Sequence, residues 1–169
     1  RSQREAAMVR LIADPKAVNL ARADVVIEAI VERLESKQAL LQSIEGRLKP
    51  GAVLATNTSS IEIEKIAEVL SDPGRLIGIH FFNPPRYMAL VELINTPTTQ
   101  PQVLDDLEAF VTTYLGKSVV RAKDTPNFIA NRVGIAGMLA TIKEAETFRL
   151  SYDVVDDLTG KKMGRASSG

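Results

Sequence analysis

The sequence contains no cysteine and no tryptophan, and it has a single histidine. Without cysteine there is no disulfide, no thiolate metal site and no cysteine nucleophile. One histidine and no cysteine also argue against a catalytic zinc centre. Aromatic residues are only 5% of the chain, and no basic run is interleaved with them, so no stacking platform for single-stranded nucleic acid is expected. An excess of either charge is missing too. The 21 basic and 21 acidic residues cancel, which removes the electrostatic reason to expect nucleic acid or an anionic membrane as a partner. No apolar run approaches the ~20 residues that a membrane helix needs. These absences leave an ordinary globular protein, expected in the cytoplasm.

What is present is an alternation of short apolar runs and amphipathic segments. Arg4–Ala13 places Ala7, Met8, Leu11 and Ile12 at helical spacing. Residues 24–30, DVVIEAI, read as a buried parallel strand because they are apolar and rich in β-branched side chains. Glu35–Leu48 carries Ala39, Leu40, Ile44 and Leu48 on one side and stops at Pro50-Gly51, as an amphipathic helix does. A second strand over 52–55 leads into the polar run TNTSS, where Ser60 is positioned to cap a helix over 61–70. Strands follow at 75–82 and 90–94, then a helix over 103–115 ending at Gly116, then a fifth strand over 118–122. The alternation predicts an α/β fold, a mostly parallel sheet with helices on its faces. After Lys123 only helix is predicted, over 129–148 and from Tyr152 to about Leu158, before a small polar end, GRASSG. The chain therefore divides into 1–123 and 124–169. The second part is too short to hold an independent core, and its Ile135, Met138, Leu139 and Ile142 need a covering surface.

The residues with chemistry cluster where strands end. Open α/β sheets bind ligands beyond the carboxyl ends of their strands. Glu28, Ala29, Ile30 and Glu32 follow the first strand, Asn57 to Ser60 the second, and His80 and Asn83 the third. His80 closes an apolar run, and Glu92 returns twelve residues later inside another, in the stretch LIGIHFFNPPRYMALVE. Taken alone, His80 reads as a core histidine and Glu92 as an exposed charge on an edge strand. Taken together they form a general base and its orienting carboxylate. Ser59 has a hydroxyl that can face a substrate oxygen, and Asn83 and Asn131 can each donate an amide hydrogen bond. Lys37, on the first turn of a helix, reads by default as a solvated surface lysine.

Four segments together resemble the L-3-hydroxyacyl-CoA dehydrogenase family: VIEAIVE at 26–32, NTSS at 57–60, HFFNP at 80–84 with VELI at 91–94, and KDTPNFIANR at 123–132. LTGKKMGR near the end is similar to the long bacterial members. The resemblance implies a partial Rossmann-like domain followed by the start of an all-α domain that binds substrate and makes a homodimer. It implies NAD as cofactor, an acyl-CoA as substrate and a place in fatty-acid β-oxidation. It implies His80 as catalytic base, Glu92 as the carboxylate orienting it, Ser59 near substrate and nicotinamide, and Asn131 polarising the substrate oxygen. Ala29, Glu32 and Lys37 would line the ribose and nicotinamide side of the NAD groove, with Asn83 beside them. The chain departs from the family in lacking the Gly-rich turn, G-x-G-x-x-G, that holds the NAD pyrophosphate, and its stretch before Asp24 is shorter than the family's. It is therefore expected to be a piece of a longer protein and to bind NAD poorly as it stands. The alternatives are a short-chain 3-hydroxybutyryl-CoA or free hydroxy-acid dehydrogenase, and a non-catalytic protein on the same scaffold.

Overall fold

A computed structural model of the chain describes residues 3–164; most of the GRASSG end lies outside them. Two compact units are present, Arg1–Pro126 and Asn127–Gly169, so the division falls a few residues beyond the boundary read at 123. The first unit runs α1 (Gln3–Met8), β1 (Val25–Glu28), α2 (Leu34–Glu45), β2 (Val53–Thr56), α3 (Ile63–Ala67), β3 (Leu76–Phe81), β4 (Leu90–Asn95), α4 (Pro101–Thr113) and β5 (Ser118–Lys123). The second holds α5 (Ala130–Phe148) and α6 (Tyr152–Thr159).

The sheet has the spatial order β1-β2-β3-β4-β5. All neighbours are parallel except β3 and β4, which pair antiparallel. The mostly parallel sheet with flanking helices is therefore the α/β fold that the alternation predicts. The inner strands β2 and β3 are buried along almost their whole length, which is why they read as unbroken apolar runs rather than alternating ones. Val53, Ala55, Ile77, Ile79, Val91 and Leu93 pack with Val103, Leu104, Leu107 and Val111 of α4 into one core. Pro101 occupies the first turn of α4, where its missing N–H costs nothing. Gly116, at φ +64°, turns the chain after that helix in the left-handed region that glycine tolerates best.

Close packing beneath the sheet depends on Gly78. A Cβ there would meet Ile63 Cδ1 at 2.8 Å and Ile94 Cβ at 2.9 Å. The isoleucine tip can turn away, but Ile94 Cβ is bonded directly to the backbone of β4 and cannot. Gly78→Ala is expected to cost about 1–3 kcal/mol by overpacking, read as a fall in the urea midpoint with an unchanged denaturant slope.

Four local expectations are corrected. The helix read over Arg4–Ala13 ends at Met8, and Leu11 and Ile12 are exposed. The strand read over 24–30 stops at Glu28, because the Glu28 carboxylate, not a strand neighbour, takes the Ile30 N–H at 2.6 Å. In α2 the buried face is Lys37, Leu41, Ile44 and Glu45, while Ala39 is exposed. The stripe is rotated from the expected one because its two ends are charged residues with partners, which an apolar periodicity cannot register. Finally, Ser60 does not cap α3. The helix starts at Ile63, and both carboxylate oxygens of Asp124, just past β5, accept its first N–H groups, from Ile63 and Glu64, at 2.8 Å each.

In the second unit, Arg149 ends α5 at φ +52° and lets Leu150 N–H reach the Ala145 carbonyl at 2.9 Å. Ile135, Met138 and Leu139 of α5 are exposed. Asn127, which opens this unit, sits at φ +63°, a conformation asparagine accepts more readily than most residues. No helix among the described residues is long and apolar enough to cross a membrane.

Candidate active site

The parallel strands β1, β2 and β3 end at one edge of the sheet, at Glu28, Thr56 and Phe81. Asn57 ties these ends together. Its N–H donates to the Glu28 carbonyl at 2.7 Å and its Oδ1 accepts the Phe81 N–H at 3.1 Å. The antiparallel pairing of β3 with β4 then sets His80 directly opposite Glu92. Partners opposite one another project from the same face, and here Nδ1 of His80 lies 2.8 Å from Oε2 of Glu92. The two residues are 4% and 1% exposed. Glu92 is thus no edge charge, since β4 lies between β3 and β5. An ionised carboxylate only accepts, so toward such a partner Nδ1 is the donor of this bond. The Phe82 ring packs against the imidazole, 4.6 Å between centroids.

A second polar system lies where β1 and β2 end. Glu28, Lys37 and Thr56 are all buried. Lys37 Nζ donates to both oxygens of Glu28, at 2.9 and 3.1 Å, and the Thr56 hydroxyl donates to the same carboxylate at 2.5 Å. Lys37 is therefore not a solvated lysine. Its side chain has no exposed surface, and it also stands 3.3 Å from Oε2 of Glu32. Glu32 in turn organises the TNTSS loop. Its Oε1 accepts from the Thr58 hydroxyl at 2.5 Å, the Ser59 N–H at 2.8 Å and the Ser60 N–H at 3.2 Å. The Thr58 oxygen accepts the Ile61 N–H at 3.0 Å, which holds the loop's far end.

Partial burial pushes the Glu32 carboxyl upward, but the donors from Thr58, Ser59, Lys37 and Ser60 outweigh it and hold the group below its ordinary value. A carboxyl lowered in the folded state contributes stability that is complete above its unfolded pKa and is lost as pH falls through the folded one. Glu32→Gln is therefore expected to be less stable than wild type at neutral pH. The gap should close as pH drops below 4.5, the ordinary glutamate value. Urea unfolding over an acid pH series measures this, and a gap that stays constant would contradict it.

The remaining residues named from sequence fall as follows. Ala29, Ser59 and Asn83 are exposed at or just past the ends of the three parallel strands. Asn131 is half-buried on the first turn of α5, in the second unit. Sequence reasoning passed over Thr56 and Asp124 as structural elements of this edge, and it noted Glu28 and Asn57 only as two of several polar strand-end residues. The signal was present for Glu28, a lone carboxylate closing an apolar strand. For Asp124 there was none, because its partners are some sixty residues away.

A family model described as 3-hydroxyacyl-CoA dehydrogenase, NAD binding domain, matches residues 1–125. A probable 3-hydroxyacyl-CoA dehydrogenase of Bacillus subtilis is 42% identical over 154 residues, covering 90% of this chain and 20% of that protein. A protein of the same description from Deinococcus radiodurans is 43% identical over 147 residues, covering 86% and 42%. The crystal structure of Mycobacterium tuberculosis FadB2 superposes with a TM-score of 0.86 at 34% identity, covering 96% of this chain and 59% of that one. The chain thus spans from a fifth to a little over two fifths of these two relatives' lengths.

Proposed function

This chain belongs to the 3-hydroxyacyl-CoA dehydrogenase family, and from that premise we propose that the protein oxidises L-3-hydroxyacyl-CoA thioesters to 3-oxoacyl-CoA, with NAD, in fatty-acid β-oxidation. The observation that carries the reading is the His80–Glu92 pair, hydrogen-bonded across β3 and β4 at 2.8 Å. A secondary alcohol is oxidised when its hydroxyl loses a proton as its carbon loses a hydride. His80 takes that proton at Nε2, because its Nδ1 hydrogen is committed to Glu92. Glu92 fixes the ring's orientation and tautomer and stabilises the imidazolium once it forms.

The donor set at the strand ends fits the nicotinamide and ribose half of the cofactor. Ala29 is small enough to permit close approach, while the Ser59 hydroxyl and the Asn83 amide offer hydrogen bonds, and all three are exposed. NAD, when bound, supplies the hydride acceptor. Glu32 and Lys37 belong to the same side of the groove. Ser59 also contacts substrate in this reading, and Asn131 donates its amide to the substrate's C3 oxygen. The helical unit contributes a homodimer contact through the exposed Ile135, Met138 and Leu139, whose burial against a second copy would remove apolar surface from water.

The test is NADH formation by the complete protein with L-3-hydroxyacyl-CoA substrates of increasing chain length, which also reads its acyl preference. Glu92→Gln is expected to lower kcat by about a hundredfold or more, by losing the charge that favours the imidazolium. No NADH from any member of the series would refute the reading. Activity in Glu92→Gln equal to wild type would remove Glu92 from it.

A further inference from the structure

The loop that joins β3 to β4, residues 82–89, has His80 on one flank and Glu92 on the other, and it carries a cation of its own. Because β4 runs back against β3 and β5 is parallel to β4, this loop and the start of β5 lie at the same edge as the ends of β1, β2 and β3. The loop is exposed from Asn83 to Ala89, yet it is tied down. The Tyr87 and Met88 N–H groups donate to the Pro84 carbonyl at 3.0 and 3.1 Å, and the Ser118 N–H donates to the Ala89 carbonyl at 2.8 Å. Lys117, just before β5, donates its ammonium to the Pro85 and Met88 carbonyls at 2.5 and 2.9 Å. Arg86 is the remaining cation. It is exposed, it joins no ion pair among the described contacts, and its guanidinium stands 5.7 Å from the centre of the Tyr87 ring. Tyr87 is itself 76% exposed, so its ring is no core anchor; it supports the guanidinium from one side. Residues 81–91 hold no acid except nothing beyond the chain's apolar and polar groups, and 112–120 hold none either, so Arg86 and Lys117 make this flank cationic in a chain of zero net charge.

We propose that Arg86 binds a phosphate of the coenzyme A nucleotide carried by the substrate, and so selects CoA thioesters over thioesters that lack it; this rests on the dehydrogenase reading above. A guanidinium presents a planar fork of donors that matches phosphate oxygens in pairs. A fixed loop holds that fork in place before the ligand arrives, which lowers the ordering cost of binding. The strand order assigns the phosphate to the substrate. In β1-β2-β3-β4-β5, the Ala29 and Ser59 side, given above to the nicotinamide, lies at the ends of β1 and β2. The Arg86 loop leaves β3 on the other flank of His80, toward β4. A phosphate held there belongs to the second ligand, whose pantetheine arm leads away from the reacting carbon. Arg86 follows Phe81 by five residues, so its Cα stands within about 18 Å of that of Phe81, a span that an extended pantetheine arm covers.

The test compares Arg86→Ala with wild type in the complete protein, on a 3-hydroxyacyl-CoA and on the same acyl group carried by pantetheine, which keeps the arm but has no phosphate. KM for the CoA thioester is expected to rise about tenfold, the effect of losing a hydrogen bond to a charged group. Turnover at saturation and KM for NAD stay at wild-type values, as they do when binding is lost equally from ground and transition states. The pantetheine thioester should be handled alike by both proteins, and Arg86→Lys should recover part of the loss on CoA. An unchanged KM for the CoA thioester overturns the proposal. So does an equal loss on the pantetheine thioester, which would place the effect of Arg86 on the arm, the acyl group or the fold. A rise in KM for NAD instead also overturns it, because the guanidinium would then serve the dinucleotide's phosphates. Calorimetric titration with free coenzyme A reads the same contact without turnover, and its affinity should fall by the same factor in Arg86→Ala. Coenzyme A binding that depends on Arg86 in a protein that forms no NADH would refute the dehydrogenase reading and leave this contact standing. NADH formation with a coenzyme A affinity indifferent to Arg86 would do the reverse.

Discussion

Replacing His80 by Gln in the complete protein is expected to lower kcat/KM for 3-hydroxyacyl-CoA oxidation by about 10²–10⁴, the usual contribution of a positioned general base. Glutamine is the informative choice. His80 and Glu92 are both buried and hydrogen-bonded to each other. Alanine would strand a carboxylate and cost about 1–3 kcal/mol in unmet hydrogen bonding, mixing a folding defect into the kinetics. The glutamine amide can still donate to Glu92, yet its nitrogen has no basic lone pair with which to take a proton. The expected result is a protein with near wild-type thermal stability, nearly intact NAD binding and almost no turnover. Activity within tenfold of wild type would show that the proton leaves by another route.

Lys37→Met is expected to cause the largest loss of stability of any change at this edge, about 3–5 kcal/mol, because it removes one partner of a buried ion pair and leaves the other charged and enclosed. Glu28 would keep the Thr56 hydroxyl and the Ile30 N–H but lose the only cation within reach of its buried oxygens among the described contacts. Adding Glu28→Gln to Lys37→Met should recover most of the loss, since the buried site then holds no net charge. Chemical denaturation of the two variants beside wild type gives both numbers. A Lys37→Met loss below ~1 kcal/mol, the range of an exposed pair, would mean that water reaches the pair and that its burial contributes little.

The two predictions differ in how far sequence could anticipate them. His80 and Glu92 were legible because their surroundings were. Each sits in an apolar run long enough to be a strand, and a histidine at a strand end beside a returning carboxylate is a chemical pattern. The direct register that makes them partners came from the antiparallel turn of β4 onto β3. Lys37 was misjudged for the opposite reason. A lysine on the first turn of an amphipathic helix is solvated in most proteins, and nothing local marks the exception. Its burial is decided by Glu28, nine residues earlier on β1, which becomes its partner only when α2 packs beside the ends of β1 and β2. Ser60 failed as a helix cap on similar grounds. A serine before an apolar run is a sound local signal, but Asp124 supplies two oxygens to the N–H groups of Ile63 and Glu64 and takes that place.

By itself, then, the sequence determined which segments are strands and helices, where the polar strand ends fall, and that a single imidazole is available for proton transfer. These properties depend on periodicity, composition and short spacing, all of which a linear chain expresses directly. Only the tertiary structure decided which charges are sealed, which carboxylate caps which helix, and how the Ser59 loop is held. Each of those follows from groups far apart in sequence meeting inside a medium that penalises any charge left without a partner, and the penalty can be assigned only once the neighbours are known.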